Sequence, residues 1–143
     1  MRDFLAIKKA LSDETRVRLL LSLRGQELCL CQLVGLVAFA ASTVSKHMSI
    51  LRQSRLVEGR KDGRWMYYRL AGREAPVSAR RALQWVQDSL AEDRRMAEDA
   101  QRVREIVRMD PQSLCAAQCS SKRACASPVQ RHRARPNTRK RLA

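Results

Sequence analysis

At Leu56 the apolar pattern of this chain changes period. Before it, Val44, Met48 and Leu51 recur at i, i+4 and i+7, which is one stripe of a helix. After it, L-V-E-G-R-K-D-G-R-W-M-Y-Y-R-L sets strand-forming residues on both sides of Asp62 and Gly63. D-G between such runs is a hairpin signal, because the turn needs residues that tolerate positive φ. The fold therefore has to carry a helix straight into a two-stranded element. The helix is expected over 42–54 with Ser42 as its N-cap. Its polar side holds Ser42, Ser45, Lys46, Ser49 and Gln53, and a cationic face of this kind can enter a groove. Arg60, Lys61 and Arg64 fall at the hairpin tip. Trp65, Tyr67 and Tyr68 are expected to pack, since an alternating strand buries one face.

Upstream, the pattern predicts a short helix near 2–11 and another over 13–24. The second is opened by Ser12 as N-cap, with Asp13 and Glu14 where the helix dipole favours anions, and is stopped by Gly25. A further helix is expected over 30–37. Downstream, residues 79–109 carry Leu83, Val86, Leu90, Ala97, Ala100, Val103 and Val107 at three- and four-residue spacing. One helix of that length outruns a small core, so its surplus apolar face is expected to meet the same helix of a second copy. The order is α-α-α-α-β-β-α, a mainly α fold with a β-hairpin, over residues 1–109. Beyond Asp110 and Pro111 periodicity ends, and residues 110–143, with eight Lys and Arg against one Asp, read as a disordered tail. Its Arg-rich end is either a nonspecific DNA arm or a solvated run.

A length of 143 residues allows one core and a tail. The 29 Lys and Arg against 14 Asp and Glu leave a net charge of +15, which favours a polyanion, nucleic acid first. No apolar run approaches the ~20 residues of a spanning helix and no signal peptide opens the chain, so a cytoplasmic protein without a membrane partner is expected. Five cysteines, an odd number at uneven spacing, argue against a disulfide framework and leave thiols for metal, redox or packing roles.

Two of these thiols, Cys29 and Cys31, stand one residue apart in E-L-C-L-C-Q-L. Cysteine packs readily in cores. In a helix, however, i and i+2 point about 200° apart at ~100° per residue, so both cannot face one core. Two sulfurs so placed grip one ion only if the backbone is extended or the first helical turn opens, so ion capture and a regular helix start are expected to compete. Cys115, Cys119 and Cys125 form C-x3-C-x5-C in the tail, and Cys115 and Cys119 would share a face if a helix persists there.

The run from Glu27 to Leu70, with T-V-S-K-H-M-S-I-L-R at its centre, resembles the ArsR/SmtB family of winged-helix metalloregulators over about residues 5–108. The resemblance implies a winged helix-turn-helix homodimer on double-stranded operator DNA, with half-sites about one helical turn, ~34 to 36 Å, apart. It implies DNA contacts from Ser42, Thr43, Ser45, Lys46 and His47, and from Arg60, Lys61 and Arg64 of the wing. In arsenite-responsive members the pattern is E-L-C-x-C-D-L-C. Cys29 and Cys31 match its first two cysteines, Val34 stands at the third and Gln32 at the Asp. The implied effector is As(III) or Sb(III), which prefers three thiolates; the tail cysteines, Cys115 and Cys119 foremost, either complete the site from one or the other protomer, form a separate site, or are incidental thiols. The implied role is control of arsenical-resistance genes. Zinc sensors of the family use His and carboxylate pairs on the last long helix, and residues 79–109 contain no histidine.

Other readings remain distinct in what they predict. A Cd(II)- or Pb(II)-responsive repressor would need a fourth sulfur, and a thiol-redox repressor would need an exposed cysteine of depressed pKa. An enzyme is not expected, because a C-x-C oxidoreductase lacks here a βαβ context and a nearby activating base. A sequence-blind nucleic-acid binder fits the charge but leaves Cys29 and Cys31 unexplained.

Overall fold

The computed structural model describes the backbone of residues 1–120 and the side chains of residues 1–118. The elements run α1 (Arg2–Leu11), α2 (Glu14–Ser22), β1 (Leu28–Cys29), α3 (Leu30–Val37), α4 (Ala41–Gln53), β2 (Val57–Asp62), β3 (Trp65–Leu70), α5 (Val77–Ser89), α6 (Arg94–Arg108) and α7 (Pro111–Ser120). Leu19, Leu20, Leu23, Leu33, Val44, Met48, Leu51 and Leu56 are almost wholly excluded from solvent and form one core. Val44, Met48 and Leu51 are the apolar stripe expected of α4.

The corner between α1 and α2 divides two capping jobs between neighbours. Ser12 closes α1, its Oγ donating to the Lys9 carbonyl at 2.8 Å, and Asp13 rather than Ser12 caps α2, accepting from the Arg16 N–H at 2.9 Å. Helices α3 and α4 meet at 108° across a three-residue break, the angle and spacing of a helix-turn-helix. Ala38 makes that break in the left-handed region, at φ 57° and ψ 30°, where glycine is usual. Ser42 lies inside α4, whose N-cap is Ala40 with no side-chain bond.

β2 and β3 pair antiparallel from Val57 opposite Leu70 to Asp62 opposite Trp65. The connection is therefore Gly63 and Arg64, with Gly63 at φ 58°, the position glycine takes in a two-residue hairpin loop. This is the expected mainly α, winged helix-turn-helix arrangement, with three departures. Leu28 and Cys29 add a third strand, pairing with Tyr68 and Tyr67 in a sheet ordered β1-β3-β2. Two residues are too few for alternation to reveal a strand.

The single helix expected over 79–109 is instead two, α5 and α6. Asp93 stops the run, since its carboxylate accepts from the N–H groups of Arg95 and Met96 and starts a new helix. Of the apolar positions in this stretch, Leu83, Val86 and Val103 are buried within their own chain and Leu90 is half-buried, while Ala97, Ala100 and Val107 stay exposed. Folding also continues past residue 109, where a disordered tail was expected to begin. Asp110 accepts from the N–H and hydroxyl of Ser113, Pro111 occupies the first helical position, and Leu114 packs against the core, so residues 111–120 form α7. Residues 121–143, with Cys125 and the whole Arg-rich end, lie outside the described residues. Among the described residues no single helix is long and apolar enough to cross a membrane.

Candidate functional site

Cys29 is fully buried at the junction of β1 and α3. Its backbone is extended, at φ −82° and ψ 163°, and it is the N-cap of α3. The pair Cys29 and Gln32 makes a capping box: the sulfur faces the Gln32 N–H, and the Cys29 N–H donates to Gln32 Oε1 at 2.9 Å. Cysteine thus takes the place usually given to serine or threonine, and Gln32 supplies the return bond. Cys31 follows inside the first turn. The two residues sit on either side of the helix boundary, so the 200° separation of two helical positions does not apply. The extended backbone that C-x-C needs is already present, and α3 does not have to unwind to provide it.

A third sulfur approaches from α7. Gln118 Nε2 donates to the Cys31 carbonyl at 3.0 Å, and the Cys31 thiol lies beside that of Cys115, three residues before Gln118 on the same helical face. Both α6 and α7 pass beside Gly35 of α3, at distances that would leave a Cβ in ordinary van der Waals contact. A Cβ there would lie 3.6 Å from Ile106 Cδ1 and 4.0 Å from Gln118 Nε2. Burial first, then the neighbouring thiols of Cys115 and Cys29, push the Cys31 pKa up to about 12. Burial also raises Cys29, against backbone N–H groups at the start of α3 that pull it down. Both thiols are therefore protonated at neutral pH, the opposite of a reactive redox cysteine. Among the described residues no three His, Cys, Asp or Glu side chains already form a metal cage. The side chain of Cys119 lies outside the described residues.

The expected DNA contacts divide in two. Ser42, Thr43 and Lys46 are exposed on the first turns of α4, with Ser45 half-buried beside them. The helix start lacks a side-chain cap, which leaves backbone donors facing the same way. Lys61 and Arg64 are exposed at the wing tip. His47 instead turns inward to α2, its Nδ1 3.5 Å from Arg16 Nη1 and 4.0 Å from Asp13 Oδ1. Arg60 lies along β2 rather than at the tip and is held by Glu27, Nε to Oε1 2.9 Å and to Oε2 3.0 Å, with its guanidinium 4.6 Å above the Tyr67 ring. That contact holds the Glu27 carboxyl below the usual carboxylate range. Sequence reasoning missed this tie between the segment before β1 and the wing, because residues 33 apart carry no local signal of contact.

A helix-turn-helix flanked by a hairpin wing, with hydroxyl and cationic side chains on the exposed face of its second helix, defines the winged helix-turn-helix fold. Residues 13–59 match the family model described as "Bacterial regulatory protein, arsR family". That stretch is therefore similar to the helix-turn-helix of this family, and the relatives it matches are named as transcriptional regulators and repressors. It is similar to the arsenical resistance operon repressor of Escherichia coli, 45% identical over 65 residues, covering 44% of this chain and 55% of that protein. It is also similar to the cadmium resistance transcriptional regulatory protein CadC homolog of Staphylococcus aureus, 39% identical over 70 residues, 48% of this chain and 57% of that one. The matched stretch thus spans about half the length of these relatives. HlyU from Vibrio cholerae shares the fold, with a TM-score of 0.54 and 22% identity over 64% of this chain and 95% of that chain.

Proposed function

We propose that this chain is a metalloid-responsive transcriptional repressor. As a homodimer it holds operator DNA through α4 and the wing, and it releases the operator when As(III) or Sb(III) is captured by the thiols of Cys29 and Cys31, so controlling arsenical-resistance genes. The observation that carries the reading is the convergence of Cys29, Cys31 and Cys115 at the start of α3. A sulfur donor set suits a soft ion and is unsuited to Mg(II) or Ca(II).

The placement of these sulfurs gives the ion a lever on both DNA-contacting elements. Cys29 caps α3, which packs against α4, and in β1 it stands opposite Tyr67 of the wing strand, whose ring lies under Arg60. Drawing the sulfurs around an ion displaces the cap and the strand together. Reversing a 99:1 preference for the DNA-bound form needs about 5.5 kcal/mol of differential affinity, so only binding that distinguishes the two forms works the switch. The dimer is supported by exposed apolar side chains on two helices that pack on each other: Phe4 and Leu5 of α1 and Val77 and Trp85 of α5. DNA-binding titrations with As(III), Sb(III), Cd(II) and Zn(II) test the reading, with release expected at the lowest concentrations of As(III) and Sb(III). Release by Zn(II) alone would refute it.

A Cd(II)- or Pb(II)-responsive repressor is the second reading, favoured by the similarity to the cadmium-resistance regulator and by the further tail cysteines. Proton release separates the two. As(OH)3 and three neutral thiols give three As–S bonds and three waters with no net proton, whereas Cd(II) displaces a proton from each thiol it binds.

A further inference from the structure

Resting on the metalloid reading, we infer that α7 completes the effector site within one protomer: Cys115 supplies the third thiolate beside Cys29 and Cys31, and Gln118 positions it by fastening α7 to the backbone of α3.

The argument begins with the vacancy at position 34. A pyramidal As(III) or Sb(III) site takes three sulfurs, and Val34, 7% exposed, is packed in the core and offers none. The third donor has to come from another element, and α7 is the one that arrives with a cysteine in place. Helix α7 is not loosely attached. Leu114 packs against the core, and Gln118 Nε2 bonds the Cys31 carbonyl at 3.0 Å. With Gln118 fixed on one cysteine's carbonyl, the residue three positions earlier on the same face falls beside that cysteine's thiol, which is where Cys115 lies. The arrangement is intrachain.

Gln118 is a positioning residue, since its amide touches the carbonyl of a ligand residue and not the ion. Its loss should weaken binding without changing the donor count. Capture exchanges three S–H and three As–OH bonds for three As–S bonds and three waters, with no electrons moved. Because the three thiols are neighbours but not yet a cage, closing them draws α7 and the cap of α3 together.

X-ray absorption and the ultraviolet absorbance of arsenic bound to thiolate, on the reduced full chain, test this. Parent and Cys119→Ser should show three sulfurs per arsenic. Cys115→Ser should show two sulfurs and an oxygen, with affinity lower by at least about 100-fold as one arm of a multivalent site is lost. Gln118→Ala should keep three sulfurs and bind roughly 10-fold more weakly. Each variant should still bind DNA without arsenic, which reports the fold. Three sulfurs at parental affinity in Cys115→Ser would overturn the assignment of the ligand, and unchanged affinity in Gln118→Ala would overturn its positioning role. Mixing Cys115→Ser chains with Cys29→Ser/Cys31→Ser chains should give no three-sulfur site; its recovery would place the third ligand in the partner. A parent that binds no As(III) at all would refute the metalloid reading itself, a result distinct from all of these.

Discussion

Two helices are seated on the helix-turn-helix unit in opposite ways. Helix α6 is clamped to α2 by a bidentate pair, Arg18 Nε to Asp99 Oδ2 at 2.7 Å and Nη2 to Oδ1 at 2.8 Å, both side chains largely buried. Among the described residues, helix α7 meets α3 through the Gln118 amide on the Cys31 carbonyl and the Cys115 thiol beside that of Cys31, with Leu114 against the core. A planar, charge-assisted pair fixes one geometry. Sulfur contacts are softer and leave a helix able to shift when an ion exchanges S–H bonds for bonds to itself. The difference separates a scaffold joint from a sensing joint a few turns apart along the chain.

Breaking the first joint should cost most. Asp99→Ala leaves the Arg18 guanidinium without its partner, and denaturation in urea should show a loss of about 3 kcal/mol. A loss below about 1 kcal/mol would mean that the clamp is no firmer than the sulfur joint. At the second joint, Gln118→Ala removes one hydrogen bond and should lower stability by only about 1 kcal/mol, read the same way. A larger drop would show that α7 is structural.

Alkali sharpens the contrast. A thiol whose pKa is higher in the folded chain favours folding fully below its unfolded value and loses that contribution as pH rises through the folded one. For Cys31 the window opens near the ordinary value of 9.0 and closes at about 12. Stability should therefore be flat in this respect up to pH 9 and fall above it, and Cys31→Ser should flatten part of the decline. Asp99→Ala should leave that alkaline decline in place. The smallest effect belongs to the hinge of the helix-turn-helix. Ala38→Gly should raise stability by about 0.5 kcal/mol, the relief of a left-handed alanine less the extra chain entropy of glycine, visible as a small rise in melting temperature.

How much of this was legible in the sequence depended on how local the signal is. The stripe of Val44, Met48 and Leu51 and the strand residues around Gly63 report their own neighbourhoods, and both elements appear as expected. The break at Asp93 and the start of α7 at Asp110-Pro111-Gln112-Ser113 also carried capping signals, but long apolar spacing on one side and low complexity on the other outweighed them. Contacts between distant residues carried no such signal. Glu27 with Arg60, His47 with Asp13 and Arg16, and Gln118 with Cys31 depend on where whole elements pack. Cys29 and Cys31 were legible as a pair, yet the backbone around them was not, because a two-residue strand ending on a helix cap leaves no periodicity.

The most direct test of the central claim is fluorescence anisotropy of the promoter DNA upstream of this chain's own gene, followed as arsenite is added to the reduced dimer and to Cys29→Ser/Cys31→Ser. Serine keeps the capping geometry at position 29, so both proteins should bind the DNA comparably before arsenite is added. The parent should then release it while the double variant stays bound throughout the titration. Release by the double variant at the parent's arsenite concentration would contradict the account.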